Sequence, residues 1–238
     1  MNQKSRICAG PSPYWQSTQW PIATLAYALT ALAPVALALL FVIRPVTSPA
    51  AEPRKATTEA VAALAQNPTV PAAGATDADV TIVEFFDYNC PFCKKTAPEL
   101  QKLLHTDPKV RILYKEWPIF GDVSEYAARS ALAAHWQGKF LVAHTALIGA
   151  PNDLDETSQV DAVLKAAGVD LTQLSRDRAT HAADITAILA RNSKEAAALG
   201  FHGTPGFVVG RQLVPQALTL QSLQQLTQSA RQSPRQSR

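Results

Sequence analysis

Cysteine, methionine and glycine are scarce in this chain of 238 residues, which holds 3, 1 and 10 of them. Three cysteines cannot staple a disulfide-dense scaffold, and so few glycines cannot support a collagen repeat. No segment recurs at a fixed period, which excludes solenoids and propellers. Wholesale disorder fails as well, because 47% of the residues are hydrophobic. Nor is there a bulk excess of basic charge. Residues 1–50 hold Lys4, Arg6 and Arg44 and no acid, and beyond them 19 basic residues meet 19 acidic ones. A region of zero net charge has no electrostatic footprint for nucleic acid, so no such partner is read from it.

One long run does lack charge, residues 21–43 (PIATLAYALTALAPVALALLFVI). At about 1.5 Å per helical residue it crosses a hydrocarbon core of about 30 Å with some tilt. Tyr14, Trp15 and Trp20 precede it, where aromatic rings favour the headgroup zone. The expectation is one transmembrane signal anchor after a short cytoplasmic stretch, residues 1–20. A cleaved signal peptide ending at Ala50 is the alternative. Charge does not decide orientation, since Lys4 and Arg6 flank one side and Arg44, Arg54 and Lys55 the other.

Residues 44–78 read as a tether, a helix at 56–66 and a loop rich in Pro, Gly, Ala and Asp. Residues 80–86 (VTIVEFF) are β-branched and aromatic and read as a buried strand. A helix is expected at 91–106, with Pro98 placed to kink it, and a strand at 110–114. The stretch of about 122–200 is alanine-rich, with helices expected at 124–137, 139–148, 157–167 and 184–199. Strands at 207–209 and 213–214 and a helix at 218–228 follow. Residues 229–238 read as a disordered polar tail. The order β-α-β, helical block, β-β-α is an α/β plan with an inserted helical subdomain.

The chemistry concentrates at Cys90-Pro91-Phe92-Cys93, directly after a strand and at the start of a helix. A helix N-terminus presents free N–H groups and partial positive charge, and both stabilise a thiolate. Cys90 is therefore the expected attacking residue and Cys93, one turn on, the resolving residue. Pro91 suits the first helical position, where no N–H is needed. A zinc site would need a second ligand pair, and the remaining cysteine is Cys8. A purely structural disulfide in so short a loop would do little to constrain an unfolded chain. No metal or cofactor is implied.

Glu84 lies in mid-strand, six residues before Cys90. If buried, its pKa rises and it can relay protons to Cys93; otherwise it sits on a solvated strand face. Lys115 is a candidate partner for it. Thr204-Pro205 precedes a strand, and a cis bond there would leave the Thr204 backbone open to an extended substrate segment.

EFFDYNCPFC, followed far downstream by GTP with a helical block between, resembles the DsbA family of thiol:disulfide oxidoreductases. The match is closer to its branch with FFDYxCPxC and GTPxFVxG. The resemblance covers about residues 56–228 and implies a thioredoxin-like fold interrupted by a helical insertion. It also implies mixed disulfides between Cys90 and exported proteins, a cis Pro205, and Thr204, Pro205 and Phe92 beside the substrate. Two departures bear on direction. Strong oxidants of the family carry His where this chain has Phe92, and often Val where it has Thr204. Both changes are expected to raise the Cys90 pKa and weaken oxidising power.

Other residues carry less. His202 is a loop histidine that could lie near the dithiol. His135, His144 and His181 read as surface or boundary residues. Trp117 and Phe120 read as packing where the insertion meets the core, or as lining a substrate groove. The resulting expectation is a membrane-anchored oxidoreductase of a bacterial inner membrane, with its catalytic domain in the periplasm. It would act on exported cysteine-containing proteins, with disulfide formation as the favoured direction. A membrane partner, a quinone-linked oxidase or an electron donor, would reset it. Reduction or isomerisation, or a chaperone-like binding module indifferent to redox, are the alternatives.

Overall fold

A computed structural model describes residues 54–65, 70–151 and 153–233. The expected anchor at 21–43, the segment before it and most of the tether lie outside these residues. Among the described residues, no helix is long and apolar enough to cross a membrane.

Five strands form one mixed sheet: β1 (Ala72–Gly74), β2 (Val80–Phe86), β3 (Val110–Glu116), β4 (Gly206–Val209) and β5 (Gln212–Val214). Their order is β1-β3-β2-β4-β5. β2 and β3 run parallel, and β1–β3, β2–β4 and β4–β5 pair antiparallel. The parallel pair needs a crossover, which α2 (Pro91–Thr106) supplies. β2 is therefore central, and its C-terminal end delivers the chain to the dithiol. Its residues are buried on both faces, apart from a half-buried Thr81, which is why they read as a nearly unbroken apolar run.

Strand alternation sorts the side chains into two cores. Ile82, Phe86, Ile112 and Tyr114 face α2, the insertion and α8 (Leu220–Gln232). Val83, Phe85, Leu113 and Val208 face the other way, onto Leu64 of α1 (Thr58–Ala65) and Ala196 of α7 (Ala182–Ala198). A buried Leu or Phe contributes about 1.5–3 kcal/mol against its exposed state, so both faces are firmly held.

The insertion holds α3 (Asp122–Ala133), a 3-10 turn (Ala134–Gln137), α4 (Phe140–Ile148), α5 (Thr157–Ala166), α6 (Leu171–Thr180) and α7. The sequence did not announce α6. Leu174 is its one fully buried apolar residue, so its periodicity is faint. Its start is nevertheless encoded, because Asp170 accepts the Thr172 and Gln173 N–H groups at 2.8 and 3.0 Å. β1 was also missed. Ala and Gly favour strands weakly, and this edge exists through its pairing with β3. Gly74, at φ +92°, is required there: a Cβ would stand 2.3 Å from the Val110 carbonyl oxygen.

α2 continues through Pro98 to Thr106. α8 extends to Gln232, beyond its expected end at 228, so residues 229–232 are helix rather than tail. Arg231 explains the extension. It bonds Asp79 at 2.9 Å and Asp107 at 2.8 Å, tying the last turn to the loops before β2 and after α2.

Candidate active site

β2 ends at Phe86, and three residues, Asp87-Tyr88-Asn89, turn the chain into α2. Cys90 is the N-cap of that helix, in extended conformation at φ −72° and ψ 117°. The Cys93 N–H donates to Cys90 Sγ at 3.4 Å. Opposite, the Thr204–Pro205 bond is cis, and the Cys90 thiol donates to the Thr204 carbonyl at 3.2 Å. The two segments, 114 residues apart, thus meet at one sulfur.

The two free thiols differ sharply. The Cys90 pKa is drawn from 9.0 to about 6. The hydrogen bond from the Cys93 thiol contributes most; Thr204 and the Cys93 and Phe92 backbone N–H groups add to it, against an opposing effect of burial. The Thr204 hydroxyl, buried and without a partner while Cys90 is a thiol, is available to the thiolate. Cys93 is pushed strongly up, first by burial, then by its bond to Cys90 and the charge of Glu84. Thr204 and the Phe92 backbone N–H thus favour the thiolate, and the Phe92 ring, as its residue type implied, lends it nothing.

Beneath the sulfurs lies a buried polar layer. Glu84 is 3% exposed, which excludes the solvated strand face. Burial, and secondarily the charge of Cys90, raise its pKa to about 8. Lys115 is not its partner. Glu84 is in register with Tyr114, so Lys115 points to the other face, where it bonds Glu195 of α7 at 2.6 Å. Glu116 shares Glu84's face two positions along β3 from Tyr114. It is 1% exposed, neither of its carboxylate oxygens has a hydrogen-bond partner among the described residues, and burial lifts its pKa to about 8. His144 also belongs here rather than at the surface. Its ring packs 4.2 Å from that of Tyr114, it pairs with the Tyr88 hydroxyl at 3.3 Å, and burial lowers its pKa to about 3.

The turn before Cys90 is stapled to the insertion, which sequence reasoning missed. The buried Asp87 carboxylate accepts from Asn89 N–H (2.7 Å), Ile119 N–H (2.7 Å), Phe120 N–H (3.0 Å) and Ser124 Oγ (2.7 Å). Asn89 exchanges two 2.9 Å bonds with the Leu154 backbone, and Lys94 donates to Ala150 O at 3.0 Å. Asp87 also accepts the Cys90 N–H through its own carbonyl at 3.2 Å. The available signal was an Asp and an Asn beside an apolar strand and a CxxC, where short polar side chains serve as local caps.

Phe92 is 54% exposed and, with Thr204, Pro205 and His202, lines a groove of about 690 Å³. Phe120, bound through its N–H to Asp87, is 51% exposed and does not pack into the core; Trp117 does, on the α7 side. A second cavity, about 480 Å³ and lined by Trp136 and Arg191, touches none of the expected site residues. Among the described residues no cluster of three or more His, Cys, Asp or Glu could hold a metal ion.

A sequence model described as "DSBA-like thioredoxin domain" matches residues 81–228, more than half of the chain. The chain belongs to the DsbA-like thioredoxin domain family. Among solved structures, a thioredoxin-like oxidoreductase from Silicibacter pomeroyi DSS-3 superposes with a TM-score of 0.70. The two are 41% identical, over 75% of this chain and all of that one. A probable disulfide bond formation protein D of Bacillus cereus is 28% identical over 59% of this chain and 69% of its own length. A Na(+)/H(+) antiporter NhaA 1 of Mycobacterium sp. (strain KMS) is 28% identical over 57% of this chain. That match spans 22% of the antiporter, so this family member corresponds to about a fifth of such relatives.

Proposed function

We propose that this chain is a thiol:disulfide oxidoreductase that forms disulfides in exported proteins. The observation that carries the reading is the asymmetry of the dithiol: Cys90 is stabilised as a thiolate at a helix N-terminus, while Cys93 is buried and held as a thiol. Stabilising the reduced form makes the corresponding disulfide a better oxidant.

In the oxidised enzyme, a client thiolate bonds to Cys90 Sγ. The Cys90–Cys93 bond breaks, and its electron pair leaves on Cys93. Glu84, protonated at neutral pH, gives its proton to that sulfur, whose affinity for it is far higher. The client segment lies extended along Thr204 and Pro205, against Phe92. A second client thiolate then bonds to the first client sulfur, and Cys90 departs as a thiolate. The client loses two electrons and the dithiol gains two. No bound cofactor is needed. Residues 21–43 would anchor the enzyme to a bacterial inner membrane, with the domain on the periplasmic side. A quinone-linked membrane oxidase would then reoxidise it.

The test is the reduction potential of Cys90/Cys93 in glutathione buffers, read by alkylation mass shift. A value at or above about −200 mV is expected for a disulfide donor; one near −270 mV, the thioredoxin range, overturns the direction in favour of reduction. A Cys90→Ser, Cys93→Ser variant that still restored a null strain would overturn redox chemistry altogether.

A further inference from the structure

The groove beside the dithiol carries charge of one sign. Arg54 and His202 line it together with Phe92, Thr204, Pro205 and Gln216, and no Asp or Glu does among the described residues. Arg54 is exposed, and its guanidinium donates to the Gly200 carbonyl at 3.4 Å, near the C-terminus of α7. Lys95 adds a second cation, with its ammonium 5.5 Å from the centre of the Phe92 ring. Neither Arg54 nor Lys95 has a carboxylate partner among the described residues. Nearby acids are engaged elsewhere. Glu99 of α2 bonds Lys102 and the Leu220 N–H, and Asp153 acts on Lys94. Glu84, which acts on both sulfurs, and Glu116 are buried.

From this charge distribution we infer that the groove selects clients with an acidic side chain within two residues of the reacting cysteine. The inference rests on the thiol-exchange reading and adds the class of substrate. Residues two apart in an extended segment share a face about 7 Å apart. A client cysteine seated at Cys90 thus presents its second neighbour to the groove walls, where Arg54 stands, or to the Phe92 side, where Lys95 lies. Exposed pairs of this kind change an equilibrium about 1.4-fold to fivefold each, and screening over about 10 Å at 0.1 M salt weakens them.

The test uses the full-length chain, oxidised and held in neutral detergent. Its partners are peptides with one cysteine and Glu, Gln or Lys two residues to either side. Rates of mixed-disulfide formation are normalised to each peptide's rate with 2-hydroxyethyl disulfide, which removes the effect of the neighbour on the peptide's own thiol. The expected order is Glu above Gln above Lys, with about a threefold step between neighbours in low salt. Added salt should slow the Glu peptide and speed the Lys peptide. Arg54→Glu and, separately, Lys95→Glu should shrink or invert the order. Equal normalised rates, or an order that salt does not change, overturn the preference and leave thiol exchange standing. Failure of every peptide to form a mixed disulfide overturns both.

Discussion

Glu116→Gln should stabilise this protein, and more so as pH rises. The carboxyl is 1% exposed with both oxygens unpartnered, and its pKa stands at about 8 against an ordinary 4.5. Between these values the unfolded chain has lost the proton and the folded chain keeps it. Folding then takes up a proton, so stability falls with pH, at about 1.4 kcal/mol per unit, and levels off above 8. Over 3.5 units that amounts to at most about 5 kcal/mol, reduced by relaxation and water entry. Gln carries no such titration and fills nearly the same space. Two other groups run the opposite way. His144, depressed to about 3, makes stability rise with pH up to about 6.5, its ordinary value. The Cys90 thiolate does so from about 6 to 9 in the reduced protein. The clean window is therefore pH 6.5–8 in the disulfide form, where neither contributes. There Glu84 and Glu116 share one sign, and Glu116→Gln should roughly halve the fall in unfolding free energy measured by urea titration. The gain at pH 7.5 should be about 2–4 kcal/mol. A variant no more stable than wild type at pH 7.5, or an unchanged slope, would refute the claim that this carboxyl is buried and unpaired.

Alkylation of the reduced protein, read separately at each cysteine by peptide mass, should show Cys90 titrating near pH 6 and Cys93 unreactive until unfolding; a midpoint near 9 at Cys90 would contradict the thiolate geometry. Asp87→Ala strips the acceptor from four donors, so it should cost about 3–5 kcal/mol in denaturant titration and raise KM more than it lowers kcat. A loss under about 1 kcal/mol would mean that the turn is held some other way. Lys115→Ala should destabilise by about 3 kcal/mol by leaving Glu195 unpaired, whereas Lys115→Met with Glu195→Leu should come near wild type; equal losses in both would sink the ion-pair account. Arg231→Ala removes a partly exposed pair of bridges, and a shift above about 2 kcal/mol at moderate salt would be too large for that geometry.

The dithiol was legible because its determinants are local. A β-branched run, a cysteine at the helix start, Pro91 at the first helical position and a second cysteine one turn on are all fixed by neighbours in the chain, and helix-end physics does the rest. Thr204 and Pro205 were legible through a short motif beside a strand. Glu84 was half legible: its place in an apolar strand was plain, but its burial depended on what packed over it. Phe92's exposure and the groove beside it depended on that packing as well.

What only the tertiary structure decided involves residues far apart in sequence. Lys115 missed Glu84 by one position, since alternation puts adjacent strand residues on opposite faces, and only the register of β2 on β3 shows which. Asp87, Asn89 and Lys94 find their partners 32 to 65 residues away, in loops whose positions follow from the docking of the insertion. His144 and Glu116 look like surface residues until that docking covers them. A sequence fixes which groups can titrate or bond, because that is chemistry of single residues. Whether a group is dry, paired or exposed depends on distant segments closing over it, and here that closure sets the environment of both sulfurs.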